Sequence, residues 1–262
     1  MKLIKSAAIA LSMYSQIPVP QINWDKDYMK HALCFLPLIG AIIGGIEIGW
    51  YHAALALSAS IWIYTAVAAL IPVIVTGGIH IEGLMDTTDA LASLGDSEKR
   101  HSILKDPHVG AFAVIHCCMY FVITCACFAF LYEKGTQRDV LILSLGYIIS
   151  RAVCALCVVT LPTAKDSGLA YIFKNGAGRT AVTVTQIIIL TFSAGGLFCL
   201  SPITAAILTV AAAFTIFHFR LIVIGKFAGI TGDLAGFILT RVELVTLLSV
   251  ACGLLIRGIV NI

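Results

Sequence analysis

Three carboxylates, Glu82, Asp86 and Asp89, recur at i, i+4 and i+7, a spacing that stacks them along one face of a helix. Like charges held this close repel unless a cation lies between them. Oxygen-only ligands suit Mg²⁺ or Mn²⁺, and Mg²⁺ is commonly held by carboxylates together with substrate phosphates. The chemistry implied is phosphate chemistry on a divalent metal. The three belong to a longer polar stretch, residues 77–112, which carries six of the fourteen acidic side chains: Glu82, Asp86, Asp89, Asp96, Glu98 and Asp106. Asp96, Glu98 and Lys99, in the run Gly95-Asp96-Ser97-Glu98-Lys99-Arg100, read as ordinary solvated loop charge.

The elements that must hold this stretch are made for lipid. Of 262 residues, 60% are hydrophobic and 12% charged, with a mean hydropathy of +0.99, whereas soluble domains are about one quarter charged. Spans of roughly 20 apolar residues are expected near 33–55, 58–77, 111–132, 140–161, 181–199, 203–225 and 242–262. The first contains Pro37, Gly40, Gly44, Gly45 and Glu47, which favours a broken or tilted helix. Residues 6–14, behind Lys2 and Lys5, are too short to cross and lack a convincing cleavage site before Gln16-Ile17-Pro18-Val19-Pro20. They read as an interfacial or re-entrant helix. The fold class expected is an all-α polytopic membrane protein with about seven transmembrane helices plus this N-terminal helix, one domain over residues 1–262. The nine cysteines all fall in or beside spans, where they act as small apolar residues rather than a disulfide framework.

Orientation follows from the seventeen basic residues. With the N-terminus inside, the arm and the loops after spans two, four and six carry Lys2, Lys5, Lys26, Lys30, Lys99, Arg100, Lys105, Lys165, Lys174, Arg179, Lys226 and Arg241. The other side has Lys134, Arg138 and Arg257. The positive-inside rule then predicts a multi-pass protein of the cytoplasmic (inner) membrane, N-terminus inside, with the acidic stretch, Lys165-Asp166 and Asp233 facing the cytoplasm. The net charge of +3 comes without a basic, aromatic-interleaved patch, so no nucleic-acid partner is expected. Arg151 and Arg220 lie at membrane depth, where ionised groups need a partner, a wet cavity or a route to the boundary. Snorkelling suits Arg220 better than Arg151. Glu47 is a structural partner for one of these arginines or a catalytic group. His116 and His218 read as helix-packing residues, whereas His80 precedes Glu82 by two residues, at the mouth of the site.

On residues alone, three classes stand: phosphoryl or prenyl transfer, ion-coupled transport, and a structural role. Transport calls for carboxylates near the bilayer midplane and an internal repeat, and the sequence shows neither. The nearest enzymatic rival is a CDP-alcohol phosphotransferase, whose Asp-Gly-x₂-Ala-Arg opening is missing.

A resemblance narrows this choice. Gly77-Gly78-Ile79-His80-Ile81-Glu82-Gly83-Leu84-Met85-Asp86-Thr87-Thr88-Asp89-Ala90-Leu91, followed by Ile103-Leu104-Lys105-Asp106-Pro107-His108-Val109-Gly110-Ala111-Phe112, resembles the signature of adenosylcobinamide-GDP ribazoletransferase, the cobalamin (5′-phosphate) synthase family. Gln16-Ile17-Pro18-Val19-Pro20, Phe35-Leu36-Pro37-Leu38-Ile39-Gly40, Ser150-Arg151, residues 164–170 and residues 229–236 extend the resemblance along nearly the whole chain. Glu82 stands where Asp is more frequent, Ala90 where Gly is usual, and Pro107-His108 where Ser-Arg is common, which takes away a basic phosphate contact expected at 108.

The resemblance implies that α-ribazole or its 5′-phosphate attacks the cobinamide-linked phosphorus of adenosylcobinamide-GDP, releasing GMP, with Mg²⁺ as cofactor. It implies Glu82, Asp86 and Asp89 as metal ligands, with Asp106 as a fourth. Lys105, Arg151 and Lys165 would offset transition-state charge. His80, Asp166 or Asp233 would take the hydroxyl proton. The partners it admits are those two substrates, the lipid bilayer, a second copy of the chain and other cobalamin-biosynthesis enzymes.

Overall fold

Apolar stretches can satisfy their backbone in lipid only by closing hydrogen bonds within the segment, and helices result along the chain. The computed structural model describes residues 2–20, 26–164 and 178–260. In order these form α1 (Lys2–Tyr14), α2 (Lys26–Met29), a 3₁₀ turn (Ala32–Phe35) running into α3 (Leu36–Ala56), α4 (Ile61–Thr76), α5 (Ile79–Ala92), α6 (Ser97–Ile103), α7 (Ala111–Lys134), α8 (Gln137–Thr160), α9 (Gly178–Leu200), α10 (Pro202–Phe227) and α11 (Gly232–Val260). Among the described residues the only β pairing is a single parallel bridge, Thr163 to Ile230. Six helical stretches are long and apolar enough to cross a membrane, and α4 with α5, bent by 92° at their junction, brings the number to as many as seven. This is a polytopic, all-helical membrane protein.

The centre of the bundle is α8, with 78% of its apolar window buried against 50% or less for the other long helices. Its closest neighbour is α3, and the glycines expected to break that helix instead let it approach. A Cβ on Gly40 would sit 2.3 Å from the Tyr147 carbonyl oxygen, and one on Gly44 would sit 2.8 Å from the Ser144 Cβ. Pro37 falls in the first turn of α3, where a missing N–H removes no helical bond, so the helix runs unbroken. By contrast, α11 starts at Gly232 rather than near 242. Its first turn is helped by Thr231, whose Oγ1 accepts from the Leu234 N–H at 3.3 Å, so Asp233 and Arg241 ride on a helix instead of a loop.

The bend between α4 and α5 is a backbone device. Gly77 and Gly78 have φ of +65° and +80°, a left-handed pair that side chains with a Cβ resist. It turns α5 by 92° away from the direction of α4 at the end of that helix. The N-terminal arm reaches the same end, where the Gln16 N–H donates to the Val75 carbonyl at 2.8 Å. The bridge at Thr163 and Ile230 ties the end of α8 to the start of α11 there as well. At the opposite end, the Tyr132 hydroxyl bonds the Ala54 and Ala59 carbonyls at 3.3 and 3.0 Å, and Arg257 pairs with Asp139. At 13 residues, α1 is about 20 Å long, too short to span. It buries Ser6, Ile9 and Ala10 and leaves Leu3 and Ile4 exposed. All nine cysteines are free thiols.

Candidate active site

The acidic face of α5 is set in place by a close helix crossing. A Cβ on Gly83 would lie 2.6 Å from the Asp233 carbonyl oxygen and 3.1 Å from the Gly236 Cα, so α5 and the first turns of α11 meet backbone to backbone. Asp233 thereby joins the α5 carboxylates. Glu82 is exposed, whereas Asp86 and Asp233 are partly buried. Partial burial, and then the charges of Asp233, Glu82 and Asp89, push the Asp86 carboxyl up to about 6. Oxygen donors that raise one another's proton affinity are of the type a hard divalent cation relieves, and Glu82 and Asp86 supply two of them.

The other two expected ligands are engaged elsewhere. Both oxygens of Asp89 accept backbone N–H groups at the start of α7, from Gly110 at 2.7 Å and Ala113 at 2.8 Å, satisfying donors that helix N-termini leave free. Each oxygen keeps a second lone pair. Asp106 is exposed in the loop before α7 and accepts from the His108 N–H at 3.0 Å, with the ring Nδ1 at 2.7 Å. These bonds lower its proton affinity, helped by the charges of His108 and Lys99 and not by the α5 face. Among the described residues, no three His, Cys, Asp or Glu side chains stand close enough to share one ion.

Lys105 is exposed in the same loop as Asp106. His80 lies on the inner side of α5 against Gly236, 8% exposed, its Nε2 without a partner among the described residues. Burial and the Arg151 charge push its imidazole down to about 3, so it is neutral near pH 7 and too weak a base to draw a hydroxyl proton. Arg151 is wholly enclosed. It pairs with Glu243 of α11, donates to the Ser150 hydroxyl at 2.9 Å and lies over the Tyr147 ring at 5.6 Å. A guanidinium matched inside the bundle does not face a diphosphate at its end, which places it in the support of α8 against α11. Glu47 accepts instead from the Tyr147 hydroxyl, at 3.3 Å. Lys165 and Asp166 lie outside the described residues.

Against known proteins, the chain matches the family described as cobalamin-5-phosphate synthase over residues 6–251. It belongs to that family. Membership makes it a transferase of cobalamin biosynthesis. A protein of Lachnoclostridium phytofermentans named adenosylcobinamide-GDP ribazoletransferase is 37% identical over 260 residues, 98% of each chain. Similar proteins of the same name occur in Clostridium perfringens, 33% identical over 98% of each chain, and in Pseudomonas savastanoi pv. phaseolicola, 28% identical over 93% of this chain and 97% of that one. No solved structure matches it.

Within this family member, several site-flanking residues escape a reading of the sequence. Asp96, read as loop charge, caps α6 by accepting from the Lys99 N–H at 2.9 Å. The same short helix places His101 Nε2 2.8 Å from the Phe227 carbonyl oxygen and close enough to Asp233 to act on its charge. Arg100 reaches the Lys226 and Ser93 carbonyls, both at 3.4 Å. The sequence signal for these was slight, since they sit in an ordinary charged run. Glu243 carried a stronger one: an acid inside an apolar helix needs a partner.

Proposed function

We propose that this enzyme transfers the adenosylcobinamide-phosphate group of adenosylcobinamide-GDP to a hydroxyl of α-ribazole or its 5′-phosphate, releasing GMP. The observation that carries the reading is the carboxylate group Glu82, Asp86 and Asp233 at one end of the bundle, with Asp86 raised to about 6. Glu82 and Asp86 would hold Mg²⁺ together with the substrate's phosphate oxygens, while Asp89 fixes the start of α7 beside them. Bound there, the ion would supply charge neutralisation at the diphosphate. Asp233, across the helix crossing, accepts the proton of the attacking hydroxyl. The acceptor oxygen forms its bond to the cobinamide-linked phosphorus as the bond from that phosphorus to the GMP oxygen breaks. Lys105, exposed in the loop before α7, offsets charge on the departing GMP. The site faces the cytoplasm of the inner membrane, on the side the basic residues favour.

Purified protein in lipid, given adenosylcobinamide-GDP, α-ribazole and Mg²⁺, should release GMP and form the joined product. Asp86→Ala and Asp233→Asn should each lower kcat by roughly 10²–10⁴. Wild-type product formation equal to that of the Asp86→Ala protein would remove the assignment.

A further inference from the structure

Beneath α5, on the side away from Glu82 and Asp86, a cavity of about 530 Å³ opens between α5, α7 and α11. Its floor includes Leu84, Tyr120 and Phe237, each at least 90% buried, and Phe112 and Met119 of α7 line its half-exposed wall. One strong cation enters this apolar space. Arg241 lies on the cavity wall, its guanidinium 5.2 Å over the Phe237 ring, and among the described residues it makes no ion pair. Two of its lining residues sit close along the chain to groups of the carboxylate site. Phe112 stands between Gly110 and Ala113, the residues whose amides Asp89 holds, and Phe237 follows Asp233 by one helical turn.

Apolar walls, aromatic faces and one cation match a flat, weakly polar ring system joined to a phosphate. The volume falls within the range that takes a small organic ligand. A corrin ring with its side chains is far too large to enter. We infer that this cavity holds the acceptor of the transfer reaction proposed above, an aromatic nucleoside whose base lies among Phe112, Tyr120 and Phe237 and whose 5′-phosphate pairs with Arg241. Arg241 is then a specificity-determining residue that touches substrate, and the cavity sets which of the two reactants binds beneath α5 and which lies over the carboxylates. A phospholipid offers the same phosphate chemistry, and the experiment separates the two sources.

With Arg241→Leu, the ratio of kcat/KM for α-ribazole 5′-phosphate to kcat/KM for α-ribazole should fall by about 10–100-fold, the loss of one charge-assisted pair. Met119→Trp, at a half-exposed position that folding tolerates, should raise KM for both acceptors at least tenfold while KM for adenosylcobinamide-GDP stays within twofold. Equilibrium dialysis of α-ribazole 5′-phosphate, without donor or metal, should show the same losses in both variants relative to wild type. This binding measurement stands even if wild type proves unable to release GMP, so failure of the reaction and failure of the cavity assignment are told apart. Unchanged acceptor binding in both variants overturns the inference. So does a result in which the variants lose only co-purifying phospholipid.

Discussion

With its carboxyl raised to about 6, Asp86 keeps a proton through the acid range and gives it up near neutrality, so proton and divalent cation compete for it. The unfolded chain binds that proton only near 3.9. The folded form therefore holds it more tightly, and metal-free stability falls as pH rises from about 4 to about 6. Melting of the solubilised protein should accordingly shift little with Mg²⁺ at pH 5 and clearly at pH 7.5, and Asp86→Asn should abolish that difference. Arg151 gives a second expectation. Glu243→Gln leaves an enclosed guanidinium unmatched, a loss of about 3–5 kcal/mol, and a paired replacement by Met and Leu recovers most of it. A Glu243→Gln protein that melts like wild type would show that the pair does not hold α8 to α11. The periodicity of Glu82, Asp86 and Asp89 was legible because one helix fixes it. The partners of Asp89 and Arg151 were not, because Gly110, Ala113 and Glu243 come from other helices.

Among elements, the crossing of α5 and α11 decides the geometry of the site. Gly83→Leu would meet backbone at 2.6 Å, which no rotamer change relieves, so the helices must part. Displacements of about 1 Å can lower a rate by roughly 10². Activity should fall by that order while the protein still folds. Gly45→Ala, where an added Cβ meets nothing within 4 Å, should match wild type in the same assay. The long apolar helices were readable from hydropathy alone, and α4 ends at Thr76, close to the expected 77. What hydropathy could not convey was the use of small residues. Pro37 and the glycines of α3 read as points of weakness, yet Gly40 and Gly44 are points of contact with α8. The early start of α11 was equally hidden, since a polar residue such as Asp233 lowers hydropathy without ending a helix.

For the molecule as a whole, the sorting of polar loops to one end was visible in the distribution of lysine and arginine, and the α4–α5 bend, the arm contact at Val75 and the Thr163–Ile230 bridge lie together at that end. In a cysteine-free background, Glu98→Cys should react with a membrane-impermeant thiol reagent only in inside-out vesicles, and Arg138→Cys only in intact cells. The reverse pattern would invert the membrane orientation. The crossing at Gly83 and Gly236 also bears on how the protein is made. The chain leaves the ribosome N-terminus first, so α5 emerges with its carboxylates long before the segment that carries Asp233. Until α11 enters the membrane, α5 has its α7 contacts through Asp89 but nothing against Gly83. The proposed carboxylate group is therefore incomplete until α11 has been made, and a nascent chain halted after α10 should bind no substrate productively.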